Sequence, residues 1–341
     1  MLGFEKSQAT VDAAGKPKQP WSLKRKLLLA LVAIVVIIGL AVGLGVGLTR
    51  GGGGSDDDGS DDDNTDDSGD SGGSGPDRES KWKPGVGDSW QIVLKQAIKL
   101  ESSDDIDPDV DVYDLDLFDN DIEIFQTLQD AGKKVICYFS AGSWEDYRDD
   151  KDDFDKDDLG KELDGWPDER WLKLSSTGVR DIMKKRIKTA WEKGCDAIDP
   201  DNVDGYQNAN GLGLTEEDSI DYMRFLSEEA KSYKMAIGLK NAGSIIPDVL
   251  DFVDFSVNEQ CIQYSECETF AAFIKADKPV FNIEYPSGAP NHIASKVTEE
   301  ICSHKGNATG SEDFSTVIKK MELDGWVEYC DGETYTTELE D

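Results

Sequence analysis

The chain has 341 residues, of which 38% are hydrophobic and 31% charged, with 71 acidic side chains against 36 basic ones and a net charge of −35. Such acidity argues against a polyanion such as nucleic acid as partner and would attract a cationic one, although acidity alone also keeps a surface protein soluble. The length exceeds one average domain, but only residues 81–341 have a globular composition, and that stretch suits a single α/β domain; an eight-stranded barrel typically takes about 250 residues.

Residues 1–26 are polar and basic and end in Lys24-Arg25-Lys26. Residues 27–48 contain only Leu, Ala, Val, Ile and Gly, and at about 1.5 Å per helical residue they span a hydrocarbon core of about 30 Å. A secretory signal peptide has a shorter apolar region, about 7–15 residues, and no convincing cleavage site follows this one. The segment is therefore read as a transmembrane helix in contact with the lipid bilayer. The basic flank places the amino terminus in the cytoplasm and the bulk of a single-pass plasma-membrane protein outside. Residues 49–80 are mostly Gly, Ser and Asp, too poor in apolar groups to offset ordering entropy, and read as a disordered acidic linker. Its aspartates lack the spaced ligands and terminal Glu of a calcium loop, so no metal is assigned.

From Trp82 onward, apolar runs alternate with amphipathic stretches. Strands are expected at 90–94, 110–117, 134–141, 195–199, 235–240, 253–258, 279–284 and 325–329. Helices are expected at 120–131, 176–193, 215–233, 244–251, 266–276 and 312–322. This alternation implies a parallel sheet covered on both faces, and eight such strands imply closure into a (β/α)8 TIM-like barrel. The connection 95–109 shows no helix. Residues 143–175 are too long for an ordinary connection, and Trp144, Trp166 and Trp171 point to a folded wall of a cleft there.

All six cysteines follow the apolar segment, which suits an oxidising compartment. The pairs read are Cys261 with Cys267 and Cys302 with Cys330, leaving Cys137 and Cys195 either as a third bridge or as two buried thiols. No Cys/His cluster suggests zinc, and His292 and His304, the only histidines, receive no catalytic role. Asn307-Ala308-Thr309 is a glycosylation sequon on the outer side.

The chemistry concentrates in Cys195-Asp196-Ala197-Ile198-Asp199-Pro200-Asp201-Asn202-Val203-Asp204-Gly205-Tyr206. A short apolar strand here ends in clustered acids, and in parallel α/β folds the carboxyl ends of strands converge on one opening. A solvated acidic turn is the competing reading, and Asp204 before Gly205 reads as a turn former. A calcium loop starting at Asp199 fails because Val203 occupies a ligand position. The other strand ends supply Asp114 and Asp116, Tyr138 and Ser140, Lys240 and Asn241, Glu259, Glu284 and Tyr285, and Glu328. There is no Ser-His-Asp set and no dinucleotide fingerprint, so no cofactor is called. Carboxylates facing one another among aromatics suit glycoside hydrolysis, in which one acts as nucleophile or base and the other protonates the leaving oxygen.

The chain resembles glycoside hydrolase family 114, the endo-α-1,4-polygalactosaminidases. The resemblance lies in Val112–Phe118 (Val-Tyr-Asp-Leu-Asp-Leu-Phe), Val135–Ser143 (Val-Ile-Cys-Tyr-Phe-Ser-Ala-Gly-Ser), Leu163–Pro167 (Leu-Asp-Gly-Trp-Pro), the Cys195–Tyr206 stretch, Gly238–Asn241 and Asn258–Cys261, in one order over roughly residues 82 to 330. It implies an extracellular endo-acting enzyme that cleaves α-1,4-linked galactosamine polymers, a cationic polysaccharide partner. It also implies that Asp201 and Glu259 are the catalytic acids. The arrangement is similar to retaining α-galactosidase barrels, with a nucleophile on the fourth strand and an acid/base on the sixth. Asp201 is accordingly expected as nucleophile and Glu259 as general acid/base, unless Glu259 only anchors a salt bridge with Lys240. Asp114, Asp116, Tyr138, Trp166, Asp199, Asn202, Tyr206, Lys240, Asn241, Glu284 and Tyr285 are expected to bind substrate, Asp199 alternatively holding Asp201 from behind. The competing functions are an α-glycosidase on a neutral sugar polymer and a non-catalytic cell-wall carbohydrate-binding barrel.

Overall fold

The computed structural model describes residues 75–76 and 79–340. The cytoplasmic tail, the apolar span 27–48 and nearly all of the acidic linker lie outside the described residues. Among the described residues no helix is long and apolar enough to cross a membrane.

The strands in chain order are β1 (Trp90–Val93), β2 (Val112–Asp116), β3 (Lys134–Ser140), β4 (Ser143–Glu145), β5 (Leu159–Leu163), β6 (Trp166–Leu172), β7 (Ala197–Asp201), β8 (Ala236–Lys240), β9 (Phe255–Glu259), β10 (Val280–Glu284), β11 (Ser315–Ile318), β12 (Trp326–Tyr329) and β13 (Thr334–Thr336). The helices are α1 (Ile122–Asp130), α2 (Thr177–Lys193), α3 (Glu216–Ser232), α4 (Ile246–Val249), α5 (Cys261–Tyr264), α6 (Cys267–Lys275) and α7 (Ser295–Ile301). The main sheet runs β1-β2-β3-β7-β8-β9-β10-β11-β12-β13. Its first eight strands in that order pair in parallel, and β12 and β13 return antiparallel. It is a curled, TIM-like α/β sheet. No ladder joins β11 back to β1; instead the Trp90 indole N–H donates to the Ser315 carbonyl at 2.8 Å and the Ser315 hydroxyl to the Asp88 carbonyl at 2.7 Å.

Two expectations fail at this seam. Residues 312–322 do not form a helix: Ser315-Thr-Val-Ile318 is the eighth parallel strand, its β-branched run fitting the gap beside β10. Residues 325–329 are not the eighth strand but the antiparallel β12. Helix α4 is shorter than the expected 244–251, and α7 was not expected at all.

Side chains alternate across the curled sheet. Trp90, Ile92, Val112, Ile136, Ala197, Phe255, Val257, Phe281, Ile283 and Val317 share one buried apolar cluster on its inner side. The opposite parity, with the apolar stripes of the helices, forms the larger cluster outside. Helix α2 shows how the layers join. Ser176 caps it, Gly194 ends it in a left-handed turn (φ 93°), and Val179, Ile182, Met183, Ile187 and Ala190 face the strands. Its buried Arg186 reaches the Ser140 carbonyl at 2.7 Å and grips Asp150 through two 2.8 Å hydrogen bonds.

Between β3 and α2 stands the three-stranded antiparallel sheet β4-β6-β5, a visor over one side of the strand ends. Three disulfides are present: Cys137–Cys195, Cys261–Cys267 and Cys302–Cys330. The first settles the open alternative in favour of a third bridge, and it ties β3 to the residues entering β7. A bridge closing a loop of 58 residues typically contributes about 2–4 kcal/mol, mainly by restricting the unfolded chain.

Candidate active site

Inward parity and position along each strand decide what reaches the opening. Asp201 ends β7, Lys240 ends β8 and Glu259 ends β9, the fourth, fifth and sixth parallel strands. Immediately after each, the chain turns through a left-handed residue: Asn202 at φ 61°, Asn241 at 49° and Gln260 at 63°. Asn adopts this conformation more readily than most residues; Gln260 does so at a cost of roughly 1–2 kcal/mol. The turns hold the three charged side chains at the rim, and amides of two of the turn residues meet the acids. The Asn202 N–H donates to Asp201 Oδ1 at 2.6 Å, and Asn241 Nδ2 donates to Glu259 Oε2 at 3.0 Å.

Lys240 is almost fully buried between the two acids, its Nζ 3.1 Å from Asp201 Oδ2 and 3.5 Å from Glu259 Oε2. Tyr138 donates its hydroxyl to Asp201 Oδ2 at 3.0 Å, and Tyr285 to Glu259 Oε1 at 2.5 Å. Burial alone would push Glu259 up, but the Lys240 ammonium and the Tyr285 and Asn241 hydrogen bonds hold it below its ordinary value. Burial would likewise lower Lys240, yet Asp201, Glu259 and Asp199 keep it well above the usual lysine range.

These groups open into a cleft of about 630 Å³. Its walls carry Trp166 (55% exposed), Tyr147 and Met321, apolar faces of the kind that meet sugar rings. Asn202 and Trp171 also line it, whereas Trp144 bonds the Lys151 carbonyl away from it.

Several expected substrate contacts are placed elsewhere. Asp114 and Asp199 are fully buried one layer below the rim and do not reach the cleft. None of their four oxygens receives a hydrogen bond from another group, and the two carboxyls lie against each other. Burial and the neighbouring carboxylate push Asp114 far up; burial also lifts Asp199, to about 7, with Lys240 opposing. Burial beside a second carboxylate thus favours the protonated form of Asp114. Asp116 touches the cleft but is taken by Arg148 and by the amides of Phe118 and Asp119. Glu284 has the opposite parity to Tyr285, accepts the Ile262 N–H at 2.9 Å and lines a separate, smaller cavity. Tyr206 bonds Ser244 and packs against the helix layer, outside the cleft lining. Glu328, on β12, is also outside it.

Four cleft carboxylates, Asp164, Glu169, Asp204 and Glu322, escaped the sequence reading of the site, and two of them have strongly raised values. Asp204, read as a turn former, lines the cleft and is raised to about 6 by burial and by Asp201. Glu169, on β6, lines it from the visor and is raised to about 7, chiefly by burial. The signal for Glu169 was the period-two placement of Glu169 and Trp171 on one face, hidden by Pro167 in the same run.

The profile of glycoside-hydrolase family GH114 matches residues 74–335. Among solved structures, Ega3 of Aspergillus fumigatus in complex with galactosamine is 50% identical, with a TM-score of 0.69 over 74% of this chain and 99% of that one. The glycoside hydrolase domain of PelA from Pseudomonas aeruginosa is 12% identical, with a TM-score of 0.52 over 73% and 99%, a likeness of fold alone. No curated protein matches the chain.

Proposed function

Because the chain belongs to glycoside hydrolase family GH114, we propose that it cleaves α-1,4-linked galactosamine polymers internally, with retention, using Asp201 as nucleophile and Glu259 as general acid/base. The observation that carries this reading is the pair of carboxylates on the fourth and sixth parallel strands, bridged by one lysine nitrogen. Two oxygens that both touch one nitrogen suit the roughly 5–5.5 Å spacing of a retaining pair, not the wide end, near 9.5 Å, of an inverting one. The 50% identical relative bound to galactosamine supports the sugar, and the net charge of −35 suits a polymer of free amines.

In the proposed reaction Asp201 attacks the anomeric carbon while Glu259 gives its proton to the leaving glycosidic oxygen. The glycosyl–Asp201 ester is then opened by water that Glu259 deprotonates. Glu259 must gain its proton as substrate arrives, since the free site holds it below its ordinary value. That same lowering favours a second reading, with the two roles exchanged.

The test is incubation of the purified protein with deacetylated and N-acetylated α-1,4-galactosamine polymers and a neutral α-linked galactan, followed by sizing of products. A rapid fall in mean chain length with little free monosaccharide, on galactosamine polymers only, is expected. Cleavage of the neutral polymer alone overturns the substrate.

We also propose that Leu27–Leu48 anchors the enzyme at the plasma membrane with its domain outside, where three disulfides and a glycan on Asn307 belong. Protease added to intact cells should remove the domain and leave the amino terminus protected; a freely secreted protein starting after residue 48 overturns the anchor.

A further inference from the structure

The visor brings two carboxylates to the cleft, the exposed Asp164 at the β5–β6 turn and the half-buried Glu169 on β6. Asp116 is taken by Arg148, while Asp201 and Glu259 flank Lys240. Glu169 makes no ion pair among the described residues, and Arg148, a cation whose charge acts on it, is committed to Asp116 and Glu145. Its Oε2 accepts the Ser143 hydroxyl at 2.7 Å, which leaves Oε1 for another donor. Ser143 Oγ meets Ser140 Oγ at 2.5 Å, and Asn202 Nδ2 donates to both serines at 2.9 and 3.2 Å. The same Asn202 gives its backbone N–H to Asp201. A short chain of hydrogen bonds thus connects Glu169 to the proposed nucleophile.

The groups acting on this carboxylate are Glu145 of β4, Arg148 of the turn after it and Asp201 of β7, and Glu169 in turn acts on Tyr138 of β3 and Tyr147. Two of the three charges around it are negative. In an amino sugar the nitrogen is on C2, next to the C1 that a nucleophile attacks. A group that reads this nitrogen must therefore stand near the nucleophile, on its side of the cleft.

We propose, resting on the galactosamine reading above, that Glu169 binds the C2 ammonium of the sugar attacked at C1 and makes the site select the free amine over the acetamide. A neutral acetamide offers no charge in return for the lost hydration of the carboxylate, and a site built for a polar partner penalises the analogue without it.

The test compares wild-type protein with Glu169→Gln, which keeps the shape and the acceptor for Ser143. On deacetylated polymer kcat/KM should fall about 10- to 100-fold, the scale of a charged hydrogen bond. On acetylated polymer the loss should be at least about tenfold smaller, so the preference collapses. In wild-type protein alone, galactosamine should inhibit better relative to N-acetylgalactosamine as pH rises from 6 to 7.5, because burial holds Glu169 near 7 and it ionises across that interval. This arm holds even if the variant fails to fold. Equal losses on both polymers, or a wild-type inhibition ratio that ignores pH, overturns the assignment. Wild-type protein that cleaves neither galactosamine polymer removes the substrate reading and this inference with it, whereas an active enzyme with unchanged selectivity in Glu169→Gln defeats this inference alone.

Discussion

Asp201 and Glu259 share one cation: Lys240 Nζ stands 3.1 Å from the first and 3.5 Å from the second, and it is almost fully buried. Like charges so close would otherwise repel and push one carboxyl toward its neutral form. The lysine lets both acids stand in one cleft, and the Tyr138 and Tyr285 hydroxyls fix an oxygen of each. This pairing makes the roles separable by experiment.

Asp201→Asn and Glu259→Gln should each lose about 10²–10⁴-fold activity on polymer, the scale of nucleophile or acid/base removal, while staying folded. A substrate with an activated leaving group should restore the first step only in Glu259→Gln. Added azide should rescue that variant alone, giving an α-glycosyl azide. The opposite pattern establishes the exchanged roles.

Lys240→Met should lower kcat/KM by about 10²-fold or more, because the two acids lose their common counter-charge. Lys240 helps hold Glu259 below its ordinary value, so its removal raises that value. The limb of the pH–rate profile that reports Glu259 must then move to higher pH. A profile that keeps its shape while only its height falls would show that Lys240 does not set the ionisation of Glu259.

Asp114→Asn should be tolerated, since an amide, like a protonated carboxyl, is neutral beside Asp199 and can donate to it. Asp199→Asn removes the negative charge beneath Lys240 and should cost about 1–3 kcal/mol of stability as well as activity. Melting temperatures and kcat for both variants decide this. Equal damage from both would place the proton differently.

Lys319 is buried where β11 approaches β1, its ammonium bonded to Gln91 Oε1 at 2.9 Å and to the Asp324 carbonyl at 2.7 Å. Burial lowers it to about 7, from 10.5. Between those values the unfolded chain binds a proton that the folded chain releases, so this group makes stability rise with pH, by up to about 1.4 kcal/mol per unit. Denaturant unfolding at pH 7, 8 and 9 should show that slope in wild-type protein, and Lys319→Met should flatten it. Parallel slopes in the two proteins would remove Lys319 as the cause.

Asp201, Lys240 and Glu259 were legible because each closes an apolar run, Ala197-Ile198, Ile237–Leu239 and Phe255–Val257. Depth was not. Asp199 and Asp201 have the same parity and the same chemistry, as do Asp114 and Asp116, but two residues along a strand are roughly 7 Å, enough to separate the rim from the sealed interior. Parity itself was readable and would have turned Glu284 away from the cleft, because Tyr285 next to it points in. Ser315–Ile318 was misread because Thr316, Val317 and Ile318, flanked by lysines and acids, also fit a helical spacing; only the vacancy beside β10 makes them a strand. Glu169 stayed hidden because strand pairing within a three-stranded insert depends on partners far along the chain.

The Cys137–Cys195 bridge gives the visor a covalent frame. Both sulfurs are buried at the foot of neighbouring strands, and the loop they close, with a sequence separation of 58, contains the whole of β4, β5 and β6, with α2 and its Arg186 anchor. The part that presents Trp166 and Glu169 is thus a closed ring hung on the sheet, whereas Asp201, Lys240 and Glu259 belong to strands outside it. On the proposals made above, recognition of the amine and the carboxylate pair sit on separate parts of the chain. A visor transplanted from a relative, with its two cysteines kept, should bring its own taste in sugars to an unaltered Asp201–Glu259 pair.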